Sequence, residues 1–353
     1  MGFRLFHNGK TFGKRDLLNN GELHHDPVVS FCYEWLSGKE YFIFKTSGST
    51  GTPSEITVSR AAMKASADKT IAFFGLQPED RALLCMSAVF TGGKMMLVRA
   101  MEGELHLYSV PPSSNPLENT LPPLDFAAFV PLQFHNLLNT TRFDSSLNHM
   151  KGIIIGGSGI GEELWEKCQR LTCPVYSTYG MTETVSHVAL MKINGDEQDS
   201  YYTVLPHIKI KYSEDNCLMI TGDVTDFQPV KTNDLVNIIN ERQFEWLGRK
   251  DNIINSGSIK VSAEILEKKM ESIFKSMGFT FNFFVTGIPH KVLGEQIIMI
   301  LEGEPLDKEV IINPLRRHLE KFELPKNILS TDSFEYTSSG KIDRVSTILK
   351  IGL

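Results

Sequence analysis

The segment from Lys151 to Leu171 constrains the fold more than any other. Gly152-Ile153-Ile154-Ile155 is a short β-branched run with no polar alternation, the pattern of a strand buried on both faces. A polar turn, Gly156-Gly157-Ser158-Gly159, follows it. Leu164, Cys168 and Leu171 then recur at helical spacing, with Glu162 and Glu163 in the first turn, where the helix dipole favours acids. A second strand, Val175 to Tyr179, leads straight into Tyr179-Gly180-Met181-Thr182-Glu183-Thr184. Strand, turn, helix and strand in this order belong to a parallel sheet flanked by helices, so the expected fold class is α/β. Both strands end in a polar, glycine-containing turn, and the carboxyl ends of strands are where such sheets bind ligands.

With 353 residues the chain is long enough for two domains and at least one large core. A hydrophobic content of 41% and a charged content of 22% are those of a soluble globular protein. The formal net charge of -6 argues against a general nucleic-acid partner, while leaving room for a local basic pocket that binds phosphates. Cys32, Cys85, Cys168, Cys173 and Cys217 are scattered, odd in number and without a CxxC pair, as expected of reduced thiols in the cytoplasm. The first residues lack the pattern of a signal peptide, and no apolar run is long enough to cross a bilayer. The expectation is a cytoplasmic protein without membrane insertion.

The remaining chain divides in two. Val110 to Leu124 is rich in Pro, Ser and Asn and reads as a surface connection. Leu235 to Leu247 reads as a hairpin, with Val236 and Ile238 alternating before a turn near Asn240 to Gln243, and Phe244 and Trp246 after it. A charged break, Gly248 to Asn252, follows. Beyond it, Ser262 caps a helix whose stripe is Leu266, Met270, Ile273 and Met277, closed by Gly278. Phe281 to Val285 and Gln296 to Leu301 are β-rich. A last helix is expected with Asn313 as cap, Pro314 at its first position, and Leu315, Leu319 and Phe322 facing inward. The expected domains are 1–250, a large unit of β-sheets packed with helices, and 251–353, a small mobile α+β unit.

Thr46-Ser47-Gly48-Ser49-Thr50-Gly51-Thr52-Pro53 gathers glycines and hydroxyl side chains in one loop. Glycines let the backbone curl so that successive N–H groups face one anion, and hydroxyls add donors to phosphate oxygens. It is not a Walker loop, because no Lys-Ser/Thr pair follows at the required spacing. Taken alone, the stretch reads equally as an ordinary solvent-exposed loop.

Six motifs in order remove that ambiguity: this loop, Gly156 to Gly159, Tyr179 to Thr184, the Asp234 segment Lys-Thr-Asn-Asp-Leu-Val, Gly248 to Gly257, and Ser338 to Arg344. Together they resemble the adenylate-forming superfamily of acyl-CoA synthetases, adenylation domains and luciferases, over roughly Thr46 to Arg344. The resemblance implies ATP, Mg²⁺ and coenzyme A as co-substrates and cofactor. Thr46, Ser47, Gly48, Ser49, Thr50 and Gly51 would hold the β- and γ-phosphates. Gly156, Gly157 and Ser158 would line the adenine pocket, with Tyr179 stacking on the base beside Gly180. Thr182 would contact phosphate and Glu183 would bind Mg²⁺. Asp234 matches the acid that accepts the ribose hydroxyls, Arg249 supports ribose or phosphate, and Lys341 matches the lysine that bridges the carboxylate and the α-phosphate. Asp251 stands at the family's hinge. Ser256 and Gly257, with Ser258, would close a tunnel for the pantetheine arm in the second half-reaction. Bringing a carboxylate to a phosphate joins two anions, so the site needs positive charge and fixed donors, and no general base, since a carboxylate is already ionised at neutral pH. Read singly, Asp234 is also a turn residue, Lys341 a surface lysine, Glu183 a first-turn acid and Tyr179 a core residue.

The sequence also departs from the superfamily. Ser54 and Glu55 follow Pro53 where Lys-Gly is usual, Phe90 takes the place of a common histidine, and Ser258 replaces a common glycine. Some forty residues precede the loop, implying a reduced N-terminal subdomain. That short N-terminal part, the run Asn255-Ser256-Gly257-Ser258-Ile259-Lys260 and the compact C-terminal module are most similar to short bacterial o-succinylbenzoate–CoA ligases of menaquinone synthesis. A dicarboxylic aromatic acid needs an apolar slot and a cation or donors for its second carboxylate. Thr91, Lys94 and Ser177 are the candidates, with Phe129, Val130 and Pro131 as further lining, and a surface helix lysine is the competing reading of Lys94. Two other readings stay open: a ligase that delivers another acyl or aryl acid to coenzyme A or a carrier protein, and a non-catalytic nucleotide-binding member of the fold. A homodimer belongs to the same set of expectations.

Overall fold

The structure is a computed structural model that describes residues 2–19, 25–45, 54–117, 121–257, 259–279, 281–337 and 342–353. Its frame is a 13-stranded sheet. In spatial order, Arg4–His7, His106–Ser109, Arg81–Leu84, Phe126–Phe129, Gly152–Ile155 and Val175–Gly180 run parallel. From Val175–Gly180 the sheet continues antiparallel through His187–Lys192, Tyr202–Val204, Gln243–Arg249, Val230–Asn240, Cys217–Gly222 and Ile208–Tyr212.

The central parallel strands Phe126–Phe129 and Gly152–Ile155 carry no polar side chain and are buried at every position because helices cover both faces, and side chains alternate between two cores. Ala82 and Leu84 join one core with Met63, Ala67, Met95 and Val98, which come from helices Arg60–Phe74 and Thr91–Glu102. Leu83 and Cys85 join the other with Phe134, Leu137, Leu164 and Cys168, from helices Pro131–Leu138 and Glu162–Cys168. The expected strand–turn–helix–strand unit is present, with Ile154 in the first core and Ile153 and Ile155 in the second. At the other end of the sheet, His7 ties three elements together. Its ring contacts the Ser109 hydroxyl at 3.0 Å and Asp26 at 2.8 Å, and Asp26 in turn accepts from Val28 and Val29 to cap helix Pro27–Leu36.

A second sheet holds Ile253–Ser256, Ile259–Ser262, Phe283–His290, Gly294–Glu302 and Asn327–Thr331. Its main core, which includes Ile254, Leu266, Met270, Val285, Met299 and Leu315, takes none of the described residues before Ile254. The 3₁₀ turn Lys250–Asn252 joins the two sheets. Helix Ala263–Ser276 leans back on the junction, where Ser262 donates to the Leu247 carbonyl and Asn252 donates to Glu264. Among the described residues no helix is long and apolar enough to cross a membrane.

The C-terminal helices differ in detail from the sequence reading. Ser262 does cap Ala263–Ser276, and Gly278 follows its end at φ +77°. The buried stripe, however, is Ala263, Leu266, Met270 and Phe274, while Met277 is exposed because it lies beyond the last turn. The next helix does not start at Asn313. It spans Lys308–His318, capped by Asp307, which accepts from Glu309 at 2.9 Å, and Pro314 lies inside it. Burial of Ile311, Ile312 and Leu315 offsets the backbone bond that Pro314 cannot make. Leu315 and Leu319 face inward as expected, but Phe322 is exposed. The Val110–Leu124 connection has no regular element among its described residues, yet Leu117 and Leu124 are buried and the Ser113 carbonyl accepts from Gln133.

The tightest approach between helix and sheet is at Gly152, where a Cβ would lie 2.2 Å from the Phe74 ring. Gly152→Ala forces that buried ring or the strand to move, a repacking that costs about 1–3 kcal/mol. Urea denaturation of the variant at neutral pH measures it, and an unchanged midpoint would show that the strand can shift freely.

Candidate active site

The polar residues gather at the carboxyl ends of the parallel strands. Gly156, Gly157 and Ser158 follow Gly152–Ile155, and the Gly156 N–H donates to the Phe129 carbonyl at 3.0 Å. Gly180 to Glu183 follow Val175–Gly180. At Gly180 a Cβ would stand 2.2 Å from the Ser186 carbonyl oxygen, so the tight reversal after the strand admits no side chain. Thr184 locks the 3₁₀ turn Thr182–Thr184, donating to the Met181 and Ser186 carbonyls and accepting from the Met181 N–H. The turn then runs into Val185 at φ +67°, a costly conformation for a β-branched residue, held by its full burial. The result presents Thr182 and Glu183 outward. Glu183 is exposed and has no hydrogen bond or ion pair among the described residues.

Asp234 sits beside this edge on Val230–Asn240, its residue only 5% exposed. The Tyr179 hydroxyl donates to Oδ2 at 2.6 Å, and the Trp246 indole N–H donates to Oδ1 at 3.2 Å. Arg249, paired with Asp234 in the strand register, brings Nη1 to 3.8 Å. Burial, and then Asp234, push the Tyr179 phenol far above its ordinary range, so it stays a donor. Its ring is buried against Phe244 and Tyr202, at centroid distances of 5.0 and 5.8 Å. Tyr179 therefore orients the Asp234 carboxylate. Arg249 also pairs with Asp251 at 2.7 Å, and Asp251 accepts from Asn233. Asp251 and Asp234 are thus linked through one guanidinium.

The residue that sequence reasoning missed is Arg99. It lies in helix Thr91–Glu102, inside the apolar run Met95 to Met101, and is 2% exposed. Its Nε donates to the Thr70 hydroxyl at 3.2 Å and its Nη2 to the Ser186 hydroxyl at 2.9 Å, two residues beyond the Thr182–Thr184 turn. Among the described residues Nη1 meets only the Met96 thioether, a weak acceptor. No carboxylate pairs with it among the described residues, and burial lowers its pKa to about 10. A lone cation in an apolar helical run was the available signal. His187 is the neighbour, buried, with Nε2 at 3.1 Å from Thr70 Oγ1. Burial, and then Arg99, hold its pKa well below 6.5.

The three acid-pocket candidates do not converge. Ser177 is buried with its hydroxyl bonded to Tyr202 at 2.9 Å. Thr91 opens the helix that carries Arg99. Lys94 points away from Ser186, donating to the Ile43 carbonyl at 2.9 Å and lining a cavity beside Tyr41–Lys45. The surface reading of Lys94 is not right either, because it is half-buried over the Phe44 ring. Ser256 is buried at a strand end, and Gly257, at φ +71°, donates to the Leu293 carbonyl. Thr46, Ser47, Gly48, Ser49, Thr50, Gly51, Ser258 and Lys341 lie outside the described residues. The loop's flanks are described: Tyr41–Lys45 and Glu55–Ser59 pair antiparallel, with Lys45 opposite Glu55.

No group of three or more His, Cys, Asp or Glu side chains could cage a metal among the described residues. The outward Glu183 fits a different arrangement, in which one carboxylate and the nucleotide phosphates share Mg²⁺ with water.

Comparison with known proteins agrees with this geometry. The family of AMP-binding enzymes matches residues 31–218. The chain is 35% identical to an acyl-CoA synthetase (AMP-forming)/AMP-acid ligase II-like protein from Dyadobacter fermentans, covering 97% of this chain and 99% of that one, with a TM-score of 0.63. The o-succinylbenzoate coenzyme A synthetase of Bacillus subtilis, solved with ATP and magnesium, shares the fold at 21% identity and a TM-score of 0.74, over 86% of this chain and 69% of that one. The 2-succinylbenzoate–CoA ligase of Lactococcus lactis is 27% identical over 214 residues, 56% of this chain and 46% of that protein. The chain thus spans about half the length of the curated relatives it matches.

Two outcomes follow from the geometry. Tyr179→Phe leaves a buried carboxylate oxygen without its best donor, which costs about 1–3 kcal/mol of stability by chemical denaturation; no loss would mean that the pair is not formed. His187 is neutral when folded and titrates near 6.5 when unfolded, so its contribution is full above that pH and falls as pH drops below it. Unfolding free energies measured between pH 7.5 and 5.5 should decline, with a shallower slope in His187→Gln; equal slopes would contradict the assignment.

Proposed function

The chain belongs to the AMP-binding enzyme family, and we propose that it is an ATP-dependent carboxylic acid–coenzyme A ligase whose acid is o-succinylbenzoate. Thr46 to Gly51 hold the β- and γ-phosphates with backbone N–H groups and hydroxyls. Gly156, Gly157 and Ser158 line the adenine with Tyr179, and Asp234 accepts the ribose hydroxyls from a position fixed by Tyr179, Trp246 and Arg249. Thr182 donates to phosphate, and Glu183 is the carboxylate that faces Mg²⁺. Magnesium, when bound, neutralises phosphate charge. Lys341 supplies the cation between the substrate carboxylate and the α-phosphate.

The reaction divides into two displacements. A carboxylate oxygen attacks the α-phosphorus and pyrophosphate leaves; the coenzyme A sulfur then attacks the acyl carbon and AMP leaves. Residues 1–250 form the nucleotide-binding domain and 251–353 a mobile lid. Rotation about Asp251 exchanges Lys341 for the Ser256–Gly257 strand end between the two steps. The separate core of the second sheet and the short Lys250–Asn252 turn support that division.

The observation that carries the acid class is Arg99. A buried cation whose Nη1 has only a thioether acceptor gains most from an anion, and a guanidinium matches a carboxylate bidentately. An aromatic acid with a second carboxylate would supply that anion. Arg99 thereby takes the role that the sequence reading gave to Lys94, with Ser186 as the polar neighbour.

Acid-dependent ATP–pyrophosphate exchange tests the reading. Lys341→Ala should lower exchange by about 100-fold or more while keeping thioester formation from supplied acyl-adenylate. Equal loss of both half-reactions would contradict the division of labour. Arg99→Met should reduce the preference for o-succinylbenzoate over a matched monocarboxylic acid by about tenfold or more, the worth of a charge-assisted contact; an unchanged preference would remove Arg99 from the acid site.

A further inference from the structure

One cavity, which Arg99 does not line, lies between helix Pro27–Leu36, the strand Tyr41–Lys45 and the start of helix Thr91–Glu102. Its volume is about 320 Å³. Buried Phe31 and Phe42 contribute apolar walls, and Lys39, Lys45 and Lys94 all line it. One carboxylate, Glu34, also lines it and pairs with Lys39 at 3.0 Å. Among the described residues Lys45 has Glu55 only at 4.0 Å, and Lys94 has no acidic partner, bonding instead to the Ile43 carbonyl. Three ammonium groups and one carboxylate leave an excess of two positive charges around one cavity. Burial, and then the like charges of Lys39 and Lys45, hold the Lys94 ammonium below the usual lysine range against the opposing pull of Glu34. Like charges brought together without a counter-ion are costly, and the cavity is large enough for more than a bare ion.

We infer that this cavity binds the phosphate-bearing end of coenzyme A, with Lys39, Lys45 and Lys94 on its phosphates and Phe31 and Phe42 against the nucleotide. The inference rests on the ligase reading above and adds to it a place for the acceptor. Of the co-substrates, ATP has its phosphates assigned to Thr46–Gly51 and Glu183, and the acid has its charge assigned to Arg99. The phosphates of coenzyme A are the anions left without a partner. The cavity's position, on the strand that runs into the phosphate loop, puts them beside the domain that holds the acyl-adenylate throughout the cycle.

The test compares coenzyme A, 3′-dephospho-coenzyme A and pantetheine as thiol acceptors for the wild type, Lys39→Ala, Lys45→Ala and Lys94→Gln. The wild type should use coenzyme A with a KM well below that for pantetheine. Each variant should raise the KM for coenzyme A by about five- to twentyfold, the worth of a charge-assisted phosphate contact, with little change in kcat or in the KM for pantetheine. Dephospho-coenzyme A should fall between the two, identifying the lysines that read the 3′-phosphate. ATP–pyrophosphate exchange should stay at the wild-type level, and thermal melting checks that each variant is folded. Unchanged KM values for coenzyme A in folded variants would overturn the inference. A fall in exchange with an ATP KM effect, and none on coenzyme A, would overturn it in favour of the ATP phosphates. Thioester formation by no acid with the wild type would instead sink the ligase reading itself.

Discussion

Two-sided burial of the parallel strands is the constraint on which the rest depends. Strands such as Gly152–Ile155 and Phe126–Phe129, buried at every position, have no face to give to chemistry. Polar groups can stand only where the strands end, and the turns after Ile155 and Gly180 put them there. The close approach of Gly180 to Ser186 and the left-handed Val185 show how tightly that reversal is made. The same reversal leaves Glu183 exposed and sets the Ser186 hydroxyl on Arg99.

A carboxylate-activating site must manage charge of both signs. Asp234 illustrates one half: a buried acid kept in place by a phenol, an indole and a guanidinium, none of which needs to titrate to do so. Arg99 illustrates the other, a buried base surrounded by neutral acceptors and therefore able to hold an anion. Ser54 stands where the loop usually has a lysine.

How much of this was readable beforehand depends on the distance over which each feature is encoded. The strand–turn–helix unit is local, and Ile153 to Ile155 with Leu164 and Cys168 announced it through periodicity alone. The hairpin around Asn240 and the cap at Ser262 were local too. The bond from Tyr179 to Asp234 joins residues 55 apart, and Arg99 meets Ser186 across 87 positions, so only the assembled sheet shows them. Lys94 is bonded to the Ile43 carbonyl, whereas Arg99, further along the same helix, is buried against Thr70 and Ser186, and sequence spacing alone does not show either contact. Pro314 misled for a local reason: proline favours a first helical turn, and the buried Ile311 and Ile312 drew the helix through it.

The central claim is that this site activates one dicarboxylic aromatic acid through its adenylate. The most direct measurement is ATP–pyrophosphate exchange by the wild-type chain across a panel of acids that differ only in the second carboxylate. The account predicts that o-succinylbenzoate stimulates exchange with a kcat/KM about tenfold or more above that of its monocarboxylic analogue, as a buried charge pair should. Equal stimulation by both acids, or by neither, would contradict it.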